Sequence, residues 1–438
     1  MSEPAAESEL LRALRRRDII GLLLNVMLGA GMLTAPAKVY GAVDGWGLLV
    51  LAASAAAMLP LFLCFAELGS RFSGTGGPYL YARAALPPWL AFSSGWMLWV
   101  AQALGAATLS NLFVTYLAGF APALGEGWPR LAALAALGVI TTSITLIGIR
   151  QSAAASNLLI ATKLVFIAGF IAAVLPFVEL DRLTPTQALP PPVTFAEAML
   201  IFIFGFSGFE RGAMVAGEAK DPRRDVPVAL LFSLGLVTLV FGLAFTACVG
   251  VLDAPAANDR PFAEAGRALY GSAGAVAVSL GAMAVTFGTL LVIVVSMPRN
   301  LLALAEHGEL PAVFARIHPR WRTPQVAILT SSIVGFAAAM ASDLLGALTM
   351  STAARLISYV LCCLALVRLA NRADAPAPAF RLPFVAPVAA FTALIFVGVM
   401  LLGATKELPA LAGVLVVGLV ILMASRRTAP SPGPRSSP

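Results

Sequence analysis

Residues 19–39 read IIGLLLNVMLGAGMLTAPAKV. The run is apolar almost throughout and is long enough to cross about 30 Å of hydrocarbon as a helix. Its middle, however, holds Gly29-Ala30-Gly31, with Pro36 further on. Each glycine weakens a helix by about 1 kcal/mol relative to alanine. Paired glycines let the backbone unwind and present bare N–H and C=O groups, which a bilayer tolerates only where the break faces protein or a water-filled cavity. The plainer reading of such a stretch is close helix packing through small residues.

The rest of the chain repeats the apolar pattern. Hydrophobic residues make up 59% of the 438 residues and charged residues 12%, against about 25% charged in an average soluble domain. The mean hydropathy is +0.90. Too few charges remain to cover a water-facing surface, so the excess apolar residues face lipid. The blocks do not alternate apolar and polar, as the strands of a membrane barrel would. The expected fold is an all-α polytopic membrane protein of about twelve spans. They lie at 19–39, 47–68, 89–120, 131–149, 156–178 and 195–217, then at 226–252, 273–296, 324–341, 344–367, 383–404 and 408–425. Residues 1–18 form an N-terminal segment, and 426–438, rich in Pro and Ser, a disordered tail.

A second span is interrupted. The sixth holds Gly205-Phe206-Ser207-Gly208, and the two breaks open the two halves of a candidate repeat, 19–178 and 195–367. Matching breaks in two halves point to a transporter site at the bilayer midplane. Half-helix N-termini can hold a carboxylate, while freed carbonyls hold an ammonium or a cation. A zwitterionic amino acid offers both groups. The candidate substrate-binding residues are therefore Gly29, Ala30 and Gly31 with Phe204, Gly205, Phe206, Ser207 and Gly208. For Phe204, Phe206 and Phe209, packing stands beside aromatic gating as a reading.

Basic residues set the expected orientation, because cytoplasmic loops collect Lys and Arg. With the N-terminus inside, the inner regions hold Arg15–Arg17, Lys220, Arg223, Arg224, Arg316, Arg320, Arg322, Arg426 and Arg427, among others. The outer loops hold only Arg130, Arg182, Arg260, Arg267 and Lys406. Both termini are then cytoplasmic and the location is the cytoplasmic, or inner, membrane. Arg15–Arg17, the apolar run and Ala35-Pro36-Ala37 mimic a signal peptide, but removing the first span would invert the charge pattern of all that follows.

Several function classes fall away. The net charge of +7 is scattered over loops, not gathered into the basic stripe a nucleic acid needs. Cys64, Cys248, Cys362 and Cys363 all sit in apolar spans without a C-x-x-C pair. His307 and His318, the only histidines, share one loop, so no metal site is expected. There is no phosphate-binding loop for ATP. No cofactor and no enzymatic activity are expected. The expected partners are a small-molecule substrate, the lipid bilayer and, for some mechanisms, protons.

Four stretches carry a family resemblance. Gly29-Ala30-Gly31-Met32-Leu33 with Pro36 resembles G-S-G-I-F…P. Ala66-Glu67-Leu68, then Gly76-Gly77-Pro78-Tyr79, resembles A-E-L…G-G-x-Y. Gly217-Glu218 with Asp221-Pro222-Arg223-Arg224-Asp225-Val226-Pro227 resembles E-E-x-K-N-P-x-R-x-I-P. Gly308-Glu309-Leu310-Pro311 through Thr323-Pro324 also fits. In this order, over essentially the whole length, the chain resembles the amino acid–polyamine–organocation (APC) transporter superfamily. The resemblance implies a LeuT-type inverted repeat of five plus five helices with two C-terminal helices. It also implies substrate held by backbone at the two breaks, with segments 3, 8 and 10 shaping the side-chain pocket. Ala30 departs from the family's usual Ser or Thr, so a hydroxyl contact is lost there.

Charges within spans are costly and functional by default. The resemblance places Lys163 where sodium binds in sodium-coupled relatives, which implies sodium independence, with Lys163 bracing the first break or exchanging a proton. Snorkelling to the inner leaflet is the plainer reading. Glu210 matches a glutamate that looks proton-linked in a related exchanger; a structural carboxylate paired with a buried arginine is the alternative. Arg355 reads as a latch on carbonyls or Glu210, or as a substrate or gating contact. With Arg211, the deep charges sum to three cations against one carboxylate, so either Lys163 is neutral or an anionic partner visits. The expected function is secondary transport of an amino acid, sodium-independent and proton-coupled. The alternatives are amino acid or polyamine exchange, or a non-transporting sensor; short flanks outside the spans favour a carrier.

Overall fold

A computed structural model describes residues 15–72, 77–147, 153–214 and 219–428. The N-terminal segment before Arg15, residues 429–438 of the tail, and the motif residues Gly76, Gly217 and Glu218 lie outside them.

The described residues form an all-helical bundle. Its helices are α1 (Arg16–Met27), α2 (Ala30–Val43), α3 (Gly47–Arg71), α4 (Gly77–Ala85), α5 (Pro88–Leu117), α6 (Gly127–Ile147), α7 (Ala153–Val174) and α8 (Pro192–Phe206). They continue as α9 (Glu210–Met214), α10 (Pro222–Val249), α11 (Pro261–Ser296), α12 (Pro298–Glu306), α13 (Gln325–Ala341), α14 (Leu344–Ala370), α15 (Val385–Gly403) and α16 (Leu408–Thr428). Among the described residues, ten helical stretches are long and apolar enough to cross a membrane, and α13 is a shorter apolar helix.

Burial separates an inner from an outer set. α5 is buried along nearly its whole length and packs against α14, α11 and α13. Helices α6, α7, α15 and α16 bury only a minority of their apolar residues. Val139, Val165, Leu394 and Val416 on these helices stand exposed, Val165 at 72%. Left in water, such area would cost about 25 cal/mol per Å²; a lipid environment removes that cost.

The element boundaries differ from the expected spans in one instructive place. The eighth was expected to begin at 273, yet α11 starts at Pro261 and bends at Gly271, whose φ is 65°. The added segment carries Glu264 and Arg267, paired at 3.1 Å, and those charges make it read as loop. The turn expected near Ser342 and Asp343 is present: Asp343 caps α14 by accepting from the Gly346 amide at 3.1 Å, a common helix start.

Both glycine-marked breaks are real interruptions. α1 ends before Leu28 and α2 begins at Ala30, with Gly29 at φ −146°, ψ −139° between them. α8 ends at Phe206; Ser207 is extended, and Gly208 has φ +99°. A side chain at Gly208 would also collide with the Val26 side chain, so the second break is locked against the first. α2 and α8 cross beside them.

At the end bearing the basic loops, Glu67 is fully buried. It accepts from Arg71 at 2.5 Å, one turn on, and from the Leu382 amide at 2.7 Å. This pair ties α3 to the segment before α15. In the loop after α12, burial pushes the Glu309 carboxyl up from its ordinary value, opposed by a hydrogen bond from Tyr79 and the charge of Arg83.

Candidate functional site

A small cavity lies between the two breaks. The first break contributes Val26, Met27, Gly29, Ala30 and Gly31 to its wall. The second contributes Phe204, Gly205, Ser207, Gly208 and Arg211. Leu109 of α5, Thr289 and Ile293 of α11, and Arg355 of α14 complete it. Gly29, Ala30, Gly31, Gly205 and Gly208 leave main chain bare along this wall. The N-terminus of the fourteen-residue α2 opens onto the cavity, and its first amides lack intrahelical acceptors. The C-terminal ends of α1 and α8 bring carbonyls that the i→i+4 ladder does not use to the same place.

Seven of the eight residues expected to bind substrate line this cavity. The eighth, Phe206, faces away and stacks on Phe241, with ring centroids 5.5 Å apart. Phe209 likewise packs outward, 4.1 Å from the Phe62 ring and 5.2 Å from that of Tyr359.

Lys163 sits behind the first break. Its ammonium donates to the Asn25 main-chain oxygen at 2.6 Å, to Asn25 Oδ1 at 3.3 Å and to Thr289 Oγ1 at 2.9 Å. The Thr289 hydroxyl in turn donates to the Val285 carbonyl at 2.9 Å. One side chain thus joins α7, the unwinding end of α1, and α11. Lys163 is buried and, among the described residues, has no carboxylate partner. It takes up a carbonyl that the broken helix cannot use, as a bound cation would.

Glu210 is also behind the wall. Its Oε1 accepts from Arg355 Nη1 at 2.8 Å. Its Oε2 accepts from the Tyr359 hydroxyl at 2.8 Å and from the Gly208 amide at 2.9 Å. A single carboxylate therefore ties the second break to α14. Arg211 points the other way, into the cavity wall, and donates from Nη2 to Ser296 Oγ at 2.7 Å. Successive helical residues point about 100° apart, which is why these neighbours divide between the latch and the cavity.

Sequence reasoning did not single out Leu109, Thr289 or Ile293. All are ordinary residues of apolar helices, and only packing decides which face meets the cavity. A cluster of three or more His, Cys, Asp or Glu able to hold a metal does not occur among the described residues. Oriented main-chain dipoles around a small cavity suit the binding of a small polar molecule.

Residues 14–424 match the amino acid permease family, and the chain belongs to that family, within the amino acid–polyamine–organocation transporters. It is a multi-pass membrane transporter. Over 71% of its length it is 30% identical to the chloroplastic cationic amino acid transporter 9 of Arabidopsis thaliana, covering 58% of that protein. The methylthioribose transporter of Bacillus subtilis is 26% identical over 88% of this chain and 87% of its own. The branched-chain amino acid permease of the same bacterium is 26% identical over 74% of this chain and 73% of its own. These names differ in substrate while the family is shared.

Proposed function

We propose that this protein is a secondary transporter that carries an amino acid or a closely related amine across the cytoplasmic membrane, without sodium and coupled to protons. In this reading the chain has twelve spans with both termini cytoplasmic. α1–α7 and α8–α14 form two inverted halves, and α15 and α16 follow. The substrate's carboxylate meets the N-terminus of α2 at Gly29, Ala30 and Gly31. Its ammonium meets the carbonyls freed at the ends of α1 and α8. The observation that carries the reading is the cavity walled by the bare backbone of two broken helices.

Lys163 supports sodium independence, since its ammonium fills the position between Asn25 and Thr289 where a cation would otherwise neutralise the helix end. Proton coupling is the role left to Lys163 or to the Glu210 latch: a change of protonation at either alters the bonds that hold a break in place. Uptake into proteoliposomes under an imposed proton gradient, compared with a sodium gradient, tests this. Accumulation driven by protons alone supports symport. Uptake only against internal substrate makes the protein an exchanger and overturns the coupling.

A further inference from the structure

The charge in the cavity wall is one-sided. Arg211 and Arg355 both line it, and among the described residues no Asp or Glu does. The nearby carboxylate, Glu210, is already committed to Arg355 Nη1, the Tyr359 hydroxyl and the Gly208 amide. That pairing leaves the guanidinium of Arg211 with a neutral serine hydroxyl as its hydrogen-bond partner and, among the described residues, without a counter-charge in contact, even before Lys163 is counted. Arg355, 4% exposed, is itself only partly used: its Nε has no hydrogen-bond partner among the described residues. A buried donor left unpaired carries its full desolvation cost, and a guanidinium presents its N–H groups as a planar fork that fits a carboxylate. The hydroxyls in the wall are neutral and supply no counter-charge; Ser207 and Thr289 donate to the carbonyls of Phe204 and Val285. Leu109, Ile293 and Phe204 supply an apolar lining that suits a short methylene stem.

We infer that the substrate carries a second acid group: it is a dicarboxylic α-amino acid, with its α-ammonium and α-carboxylate at the two breaks and its side-chain carboxylate between Arg355 and Arg211. This rests on the backbone-held site proposed above and adds the class of side chain. Opposite charges attract more strongly inside a protein than in bulk water, so the side-chain acid neutralises Arg211 beside Arg355. A neutral amide of the same shape leaves the charge uncompensated, and a cationic side chain adds to it.

Binding by the purified full-length protein separates the cases. Thermal stabilisation is measured with L-aspartate, L-glutamate, L-asparagine, L-glutamine, L-leucine and L-arginine. An acid is expected to bind at least about tenfold more tightly than its own amide, a difference of about 1.4 kcal/mol, and arginine is expected to bind least. Arg211→Gln is expected to bring the acid-to-amide ratio towards one, and Arg211→Lys, which keeps the charge, to retain the preference for acid. Binding of amides or leucine as tightly as the acids, or an unchanged ratio in Arg211→Gln, overturns the inference while the backbone-held site stands. Binding of no amino acid in the panel overturns that site and this inference together.

Discussion

Gly31 of α2 and Gly205 of α8 meet backbone to backbone. A side-chain carbon placed on Gly31 would fall onto the Gly205 α-carbon and lie 2.8 Å from its amide nitrogen. The two broken spans can therefore approach this closely only where residue 31 is bare, whereas a carbon on Gly205 would meet the Phe241 ring instead; the close approach builds the cavity wall. Gly31→Ala should destabilise the protein by about 1–3 kcal/mol, the usual cost of overpacking, and reduce uptake. Gly169→Ala is the control, since nothing lies within 4 Å of an added carbon there, and it should unfold and transport like the parent. Thermal unfolding of the two variants, read beside uptake, checks this.

Glu210 and Arg355 form a buried ion pair at 2.8 Å. Removing one member strands the other's charge away from water, at a cost of about 3–5 kcal/mol. Glu210→Gln should accordingly unfold well below the parent temperature. The double variant Glu210→Gln/Arg355→Met should lose less than the sum of the single variants, with a coupling of about 0.5–3 kcal/mol. Strict additivity in a double-mutant cycle would count against the latch.

Lys163→Ala removes every bond between α7 and the end of α1 made by this ammonium. Uptake should fall by at least about tenfold, equivalent to about 1.4 kcal/mol of lost stabilisation. Replacing external sodium by choline should leave parent uptake unchanged. A Lys163→Ala protein with parental kinetics at every pH would leave Lys163 no part in transport.

The orientation can be read chemically. The native cysteines Cys64, Cys248, Cys362 and Cys363 are all buried, so background labelling should be low. Asp253→Cys, in an exposed loop after α10, should react with a membrane-impermeant maleimide on intact cells. Arg224→Cys, exposed near the start of α10, should react only after permeabilisation. The reverse pattern would place the termini outside.

The breaks were legible in the sequence because glycine pairs inside an apolar helix are expensive, and they stand out against leucine, valine and alanine. Lys163, Glu210 and Arg355 were legible for the same reason, as charges among apolar neighbours. Their partners were not. Arg355 and Glu210 lie 145 residues apart, and Lys163 reaches Asn25 across 138; only the packing of α7, α9 and α14 brings them together. Phe206 illustrates the opposite limit: sequence places it within the break, but the helix rotation that turns it onto Phe241 depends on α10. The start of α11 was hidden because Glu264 and Arg267 lower the local hydropathy of a segment that is nevertheless helical.

The most direct test of the central claim compares the parent with Gly208→Leu for uptake of labelled amino acids into proteoliposomes at equal protein incorporation. Leucine at position 208 would have to adopt a φ of +99° and occupy the space of the Val26 side chain. The account predicts uptake of at least one amino acid by the parent and none by the variant. Equal uptake by the two proteins would contradict transport at the two breaks.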